Sequence, residues 1–194
     1  SSDLKLFPDA RIERIDSDVL NSKTKYIEIL DRFQKGEIDI LIGTQMIAKG
    51  LDNKNVTLVG VIDSDISFIF PDYRSTERGF QLLMQVAGRA GRGEYDGKVI
   101  FQTYNPDLYA IENAKSQNYL SFYNNEISRR ENFDYPPFCQ IIKVVISSHN
   151  ENRALMCANE IADRLKEQIN KAGISEYIEV YGAMKCIMYK INTE

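Results

Sequence analysis

The sequence is most informative at Gln85-Val86-Ala87-Gly88-Arg89-Ala90-Gly91-Arg92, an octet that closes a helical run over residues 76–86. Arginine keeps its charge in proteins, and its planar guanidinium matches the oxygens of a phosphate group. Glycines beside the arginines let the backbone turn tightly and let a large anion approach closely. A lone Gly-Arg pair would be interpreted as a glycine-capped helix end with a solvated arginine. The full arginine octet instead predicts that Arg89 and Arg92 bind phosphate.

Strand-type and helix-type patterns alternate on both sides of the arginine octet. Strands are predicted over residues 11–15, 38–42, 56–62 and 98–104, and helices over residues 22–33, 75–86 and from about 106. This alternation predicts an α/β fold with a mostly parallel sheet. The stretch 56–62 is almost entirely apolar, so we expect this strand to be covered on both faces.

The composition changes near Asn118. A polar helical stretch over residues 118–132 is followed by a break at Pro136-Pro137, because proline lacks a backbone donor and restricts the residue before it. Beyond the break, a strand (140–147), an amphipathic helix (152–171) and a strand (177–181) predict half of a smaller, incomplete α+β domain of ferredoxin-like type. We expect domains at 1–116 and 136–194, joined by a helical connector at 117–135.

A second polar constellation, Gly43-Thr44-Gln45-Met46-Ile47-Ala48-Lys49-Gly50-Leu51-Asp52, directly follows the predicted strand 38–42. Open parallel sheets bind ligands at the carboxyl ends of their strands. Thr44 and Gln45 offer neutral donors, Lys49 offers a positive one, and Asp52 can accept from a sugar hydroxyl. Taken alone, the segment is equally consistent with a strand-to-helix connection that carries incidental polar residues.

Together, the two constellations resemble motifs V and VI of superfamily 2 helicases and translocases. Longer stretches narrow the resemblance to the PriA family of replication-restart helicases, from about residue 6 to 138. The stretches that carry it are residues 42–50, 55–63 and 71–78, Gln102-Thr103-Tyr104-Asn105-Pro106 and Tyr135-Pro136-Pro137-Phe138. The resemblance implies that residues 1–116 form the second RecA-like motor lobe and that a C-terminal domain follows the connector.

The family is a 3′-to-5′ DNA helicase that restarts stalled replication forks through primosome assembly. The resemblance therefore implies an ATP-hydrolysing enzyme that binds forked and single-stranded DNA, single-stranded DNA-binding protein and primosome proteins. Arg92 and Arg89 would act as the arginine finger, and Gln85 would orient the attacking water. The nucleotide would be bound by Gly50, Asp52 and Gly88, and the DNA backbone by Thr44, Gln45 and Lys49.

Several family features are missing from the sequence. A phosphate-binding loop needs Gly-x-x-x-x-Gly-Lys-[Ser/Thr], whereas Gly97-Lys98 has Arg92 and Val99 at the other defining positions. We therefore expect ATP and Mg²⁺ to be held mainly by an absent first lobe, and this chain alone to be inactive. The zinc insertion of the full-length family is also absent, and the scattered Cys139, Cys157 and Cys186 predict no metal site. Asp52 is followed by Asn53 and Lys54, where the family usually has an aromatic residue and a proline.

The net charge of −4 indicates that any DNA contact comes from a local groove and not from a generally basic surface. The charged stretch 72–78 is either an ion-pair face or a contact with DNA or another lobe, and Arg129-Arg130 is expected to be solvated. The sequence contains neither a secretory leader nor an apolar run of about 18 residues. We expect a cytoplasmic protein that has no membrane span and is a monomer. The alternatives are a non-catalytic module that binds fork DNA or partners, and another superfamily 2 translocase.

Overall fold

The computed structural model describes residues 7–16, 19, 22–44, 53–91 and 96–185, which fall into two units, Ser1–Gln140 and Ile141–Glu194. The described residues of the first unit contain four strands: β1 (Ile12–Ile15), β2 (Ile40–Gly43), β3 (Leu58–Val61) and β4 (Lys98–Phe101). The helices described in this unit are α1 (Lys23–Gln34), α2 (Ile66–Ile69), α3 (Ser75–Ala87), α4 (Tyr109–Lys115) and α5 (Tyr119–Asn132). The described part of the second unit contains one helix, α6 (Glu151–Ala172).

Strands β1 and β2 form a parallel pair in which Ile12 lies opposite Ile40. Parallel neighbours need a crossover connection, and helix α1 lies within the connecting segment. The apolar face of this helix supplies Ile29, which forms a buried cluster with Ile15 and Ile38. The predicted parallel arrangement of these two strands is therefore confirmed.

A charged clamp ties the starts of β1 and β2 together. The Arg11 guanidinium donates to both carboxylate oxygens of Asp39 at 2.9 and 2.7 Å, and to the carbonyl of Gly36 at 2.6 Å. The backbone N–H of Arg11 also donates to Asp39 at 2.8 Å. These hydrogen bonds, of which the side-chain bond is the strongest cause, lower the pKa of Asp39 to about 2.

Strands β3 and β4 form a second parallel pair, with Leu58 opposite Lys98 and Val61 opposite Phe101. The expectation that this segment is covered on both faces is wrong. Exposure alternates along β3, where Leu58 is 59% exposed, and Ile62 just beyond the strand is 82% exposed. The continuous apolar run hides this difference, because periodicity cannot show which face has a covering layer.

The main core of the first unit lies among helices α3, α4 and α5. Its buried members are Phe80, Leu83, Ala110, Ile111, Ala114 and Phe122. The rings of Phe80 and Phe122 are stacked with centroids 3.8 Å apart. Burying one such side chain contributes roughly 1.5–3 kcal/mol. The stretch predicted as a connector therefore packs within this unit through α5; the predicted domain bounds themselves stay a prediction.

In the second unit, the predicted helix is confirmed as α6 and the two predicted flanking strands are wrong. Asn150 caps the start by accepting from the N–H of Arg153 at 3.1 Å, and Gly173 ends the helix with a φ of +68°. Residues 140–147 and 178–181 are irregular and pair with no strand in the described residues. A strand needs a neighbour to satisfy its backbone groups, so pattern alone does not create one. The ferredoxin-like arrangement stays a prediction.

Of the helices in the described ranges, none combines the length and the apolar content that crossing a membrane requires.

Candidate functional site

Helix α3 positions the arginine octet because one of its faces is anchored in the core. Phe80 is 2% exposed and Leu83 is 1% exposed, and both belong to the main buried cluster. Glu77 lies in the first turn, where a negative charge is favourable next to the unpaired N–H groups of a helix start. The anchored face fixes the direction in which the last turn of α3 points.

The helix ends at the first glycine of the arginine octet. Gly88 closes α3 with φ −73° and ψ 6°, and its N–H donates to the carbonyl of Met84 at 3.1 Å. The N–H of Arg89 continues the turn by donating to the carbonyl of Val86 at 3.0 Å. The backbone therefore leaves the helix in a short turn.

Gly91 holds the end of the turn against the second sheet. Its N–H donates to the carbonyl of Val56 at 3.2 Å, and its φ is +73°, a conformation that glycine adopts without strain. A Cβ at Gly91 would lie 2.8 Å from the backbone nitrogen of Gly97. Both the turn and this close approach of two backbone segments therefore require glycine at position 91.

The structure brings three of the predicted site residues into one turn. Gln85 is half-buried in the last turn of α3, Gly88 is exposed, and Arg89 is half-buried beside it. Arg92 lies outside the described residues. The described part of the arginine octet is thus a helix end that combines a half-buried amide, an exposed glycine and a half-buried guanidinium.

The second constellation is described only at its start. Thr44 directly follows β2 and is exposed, as expected at the carboxyl end of a parallel strand. The other predicted residues of this segment, Gln45, Lys49, Gly50 and Asp52, lie outside the described residues. Their roles stay predictions.

Asn53 has a structural role that the sequence did not reveal. It is 7% exposed, its side-chain amide donates to the carbonyl of Phe33 at 3.1 Å, and its side-chain oxygen accepts from the N–H of Asn55 at 2.9 Å. The departure from the family pattern at this position therefore places a hydrogen-bonded anchor between the end of α1 and the approach to β3. The sequence offers one signal for the second of these hydrogen bonds, because an Asn side chain in a turn commonly accepts from the backbone N–H two residues later.

A second polar feature lies at the carboxyl ends of β3 and β4. The carboxylate of Asp65 accepts from the hydroxyl of Thr103 and from the N–H of Tyr104, both at 2.8 Å. The N–H of Asp63 donates to the side-chain oxygen of Gln102 at 3.2 Å. The Gln102-Thr103-Tyr104 stretch thus joins the two strand ends. In the described ranges no group of three or more His, Cys, Asp or Glu side chains could hold a metal ion.

The charged stretch before α3 forms ion pairs. Asp72 accepts from Arg74 at 3.2 Å and from Arg78 at 3.5 Å. The hydrogen bonds from Arg74 are the main cause that lowers the pKa of Asp72. The ion-pair interpretation of this stretch is therefore confirmed for Asp72.

Arg130 also has a structural role that the sequence did not reveal. Its side chain is only 14% exposed and pairs with Glu77 at 2.7 Å and with Glu126 at 2.9 Å. The expectation that Arg130 is solvated is wrong, because the partner Glu77 lies far away in the sequence. Glu126 in turn accepts from the Tyr109 hydroxyl at 2.5 Å, and burial followed by this hydrogen bond raises the pKa of Tyr109 above its ordinary range.

Comparison with known proteins places these features in a family. Residues 3–94 match the model of the helicase conserved C-terminal domain, a range that contains both constellations. The replication restart protein PriA of Bacillus subtilis is 46% identical over 162 residues, which are 84% of this chain and 20% of that protein. The chain is a fragment of a protein of the PriA family. PriA of Borreliella burgdorferi is 42% identical over 188 residues, which are 97% of this chain and 27% of that protein.

PriA of Synechocystis is also 42% identical, over 185 residues that cover 95% of this chain and 22% of that protein. The chain thus spans about a fifth to a quarter of the length of these relatives. The similarity continues beyond the range matched by the helicase model, because the latter two matches cover nearly the whole chain. The similarity to PriA therefore includes both units.

Proposed function

We propose that this chain is the second RecA-like motor lobe, with part of the following domain, of an ATP-dependent DNA helicase that restarts stalled replication forks. The similarity to PriA over both units supports this proposal. The observation that carries it is the arginine octet at the end of a helix whose other face is buried in the core. A helix that is anchored in the core and ends in an exposed glycine followed by an arginine is suited to binding an anion held by another lobe.

In this proposal Arg92, with Arg89, is the arginine finger. The guanidinium stabilises negative charge that develops on the phosphate oxygens during phosphoryl transfer, and such a residue contributes about 10³–10⁵ in rate in other phosphoryl-transfer enzymes. Gln85, one turn before Gly88, orients the attacking water. The two guanidinium groups only donate hydrogen bonds, which suits an anionic ligand. The amide of Gln85 both donates and accepts, which suits a water molecule.

The described residues fit a triphosphate ligand. Gly88 is exposed, and the conformation of Gly91 turns the backbone without a side chain in the way. We propose that Gly88 binds the nucleotide together with Gly50 and Asp52. ATP supplies the phosphoryl group when bound, and we propose that a first lobe outside this chain holds it together with Mg²⁺. The zinc of the family is likewise assigned to residues outside this chain.

We further propose that Thr44, Gln45 and Lys49 contact the backbone of the tracking DNA strand. Thr44 is exposed at the carboxyl end of β2, where a hydroxyl can reach a phosphate. The net charge of −4 means that such contacts are local and few. The proposed direction of movement is 3′ to 5′, since the chain belongs to the PriA family.

The proposed setting is the bacterial cytoplasm, with forked and single-stranded DNA, single-stranded DNA-binding protein and primosome proteins as partners of a monomer. The names of the relatives favour a replication-restart helicase over another superfamily 2 translocase, since each of those compared is a replication restart protein PriA. The chain would then be inactive alone.

The test uses the full-length protein with Arg92→Ala and, separately, Arg89→Ala. We expect DNA-stimulated ATP hydrolysis to fall by about 10³-fold or more in the variant that removes the finger, while DNA affinity changes little. Arg164→Ala is the matched control, because Arg164 is an exposed arginine that pairs with Glu160 on α6. Near-normal hydrolysis in both octet variants would remove the octet from the chemistry.

A second assay measures ATP hydrolysis by this chain alone and after addition of a separately produced first lobe. We expect no hydrolysis from the chain alone, because it lacks a phosphate-binding loop. DNA-stimulated hydrolysis should appear only with both parts present. Turnover by the isolated chain would contradict the assignment of ATP and Mg²⁺ to another lobe.

A further inference from the structure

Two stretches that resemble the PriA family have no role in the proposed chemistry, and they lie against each other in the structure. Asp72-Tyr73-Arg74 precedes helix α3, and Tyr135-Pro136-Pro137-Phe138 follows helix α5. The rings of Tyr73 and Tyr135 are stacked, with centroids 5.7 Å apart and an angle of 15° between their planes. The start of α3 and the segment after α5 are therefore in direct contact.

Arg130 joins these stretches. Its guanidinium donates to Glu77 on α3 at 2.7 Å, to Glu126 on α5 at 2.9 Å, and to the carbonyl of Pro136 at 3.4 Å. The guanidinium carbon also lies 5.2 Å from the centre of the Tyr73 ring. We call Tyr73, Glu77, Glu126, Arg130 and Tyr135 the Arg130 joint.

The chemistry of arginine is what makes the joint possible. A planar guanidinium can donate in several fixed directions while its face rests on an aromatic ring, whereas a lysine ammonium is a point charge that does neither as well. At 14% exposure the side chain is largely removed from water, so its ion pairs are screened less than those on the surface. Loss of one partner would leave a charge in this setting, which is costly.

The joint also extends into the core. Glu126 is 8% exposed and accepts from the Tyr109 hydroxyl on α4, so the same carboxylate contacts two helices and the guanidinium. The stacked rings of Phe80 and Phe122 lie between α3 and α5. Because polar and apolar contacts join the same helices, α3 and the segment 133–138 are expected to move together.

We propose that Arg130 is a positioning residue that couples helix α3, which ends in the arginine octet, to the Tyr135–Phe138 segment. This inference rests on the proposed function. Movement of the octet upon nucleotide binding passes through α3 and the joint to residues 133–140, after which the chain continues into the second unit. The joint thereby links ATP hydrolysis to separation of the DNA strands. Arg130 itself takes no part in hydrolysis.

The test compares Arg130→Met and Arg130→Lys in the full-length protein with Arg164→Met, a control that removes an exposed arginine from α6. DNA-stimulated ATP hydrolysis, unwinding of a forked duplex and the thermal midpoint are measured on each variant. We expect both Arg130 variants to keep most of their hydrolysis while the number of base pairs unwound per ATP falls about tenfold. The control should match the unaltered protein.

Glu77→Gln provides a second variant if Arg130→Met does not fold. Glu77 is 38% exposed, so its neutralisation removes the pair between α3 and α5 while the less exposed Arg130–Glu126 pair remains. The same fall in base pairs per ATP is expected. An unchanged ratio, or an equal loss of hydrolysis and unwinding that follows the thermal midpoint, would overturn the joint alone. Absence of DNA-stimulated hydrolysis in the unaltered protein would instead overturn the proposed function.

Discussion

At the scale of single residues, the arginines of this chain differ by their partners. Arg11 is bound through both carboxylate oxygens of Asp39, and Arg130 is shared by Glu77 and Glu126. Arg89 is half-buried and directly follows Gly88, the exposed residue that ends α3. A guanidinium shared by carboxylates from different elements holds those elements together.

The Arg11–Asp39 pair predicts a specific dependence of stability on pH. The pKa of Asp39 is lowered from 3.8 to about 2 in the folded protein, so the carboxylate stabilises the fold fully above pH 3.8. This contribution is lost as the pH falls through about 2. Asp39→Asn removes it, so the free energies of unfolding of the two proteins should differ at neutral pH and converge in acid. Urea unfolding at a series of pH values measures this.

Asp31→Asn is the matched control for this experiment. Asp31 is also an exposed aspartate, but it pairs with Lys35, the residue directly after α1, and does not join the two strands. We expect its neutralisation to change the free energy of unfolding by less than about 1 kcal/mol. A difference between the Asp39→Asn and unaltered proteins that persists in strong acid would contradict the assignment.

At the scale of elements, two of the described helices, α5 and α6, begin at a capping side chain. Asn118 begins α5 by accepting from the N–H of Ser121 at 3.0 Å. Asn150 begins α6 in the same way. Because α5 carries Phe122, Glu126 and Arg130, its start also affects the core and the Arg130 joint.

Asn118→Ala should therefore destabilise the first unit. We expect a loss of about 1 kcal/mol in the free energy of unfolding, because the N–H of Ser121 loses its acceptor. Asn118→Asp keeps an acceptor oxygen and should retain most of the stability. Chemical denaturation followed by circular dichroism measures both variants. Equal stability of the alanine and aspartate variants would show that the cap contributes nothing.

At the scale of the whole molecule, the two units differ in how much apolar surface they bury. Helix α3 contributes buried residues on one face, including Phe80 and Leu83. Helix α6 is longer, yet Ala162 is its one buried residue among those described. A helix with few buried contacts opens more readily than one held in a core.

Amide hydrogen exchange of the whole chain should reveal this difference. We expect the amides of α3 to exchange more slowly than those of α6, because opening of α3 exposes the core whereas opening of α6 exposes little. Mass spectrometry of peptides from residues 75–87 and 151–172 gives the comparison. Equal or stronger protection of α6 would contradict the inferred order of stability.

The sequence by itself determined the local structure and the family. The apolar spacing of residues 75–86 predicts α3, and that of 152–171 predicts α6. These helices depend on neighbours within a few positions, which is why periodicity predicts them. The alternation of strands and helices predicts mostly parallel strands, as the pairs β1–β2 and β3–β4 show, but not which strands pair. The arginine octet is also a local feature, because its two arginines lie only three residues apart.

The tertiary structure decided which side chains meet. Arg130 and Glu77 lie 53 residues apart, and Asn53 lies 20 residues from the carbonyl it binds, so no local pattern predicts either pair. It also decided that one face of β3 is uncovered and that residues 140–147 form no strand, because covering layers and strand partners come from distant chain. Pairing over such distances depends on how whole helices and strands pack, and that packing is a property of the fold and not of any single segment.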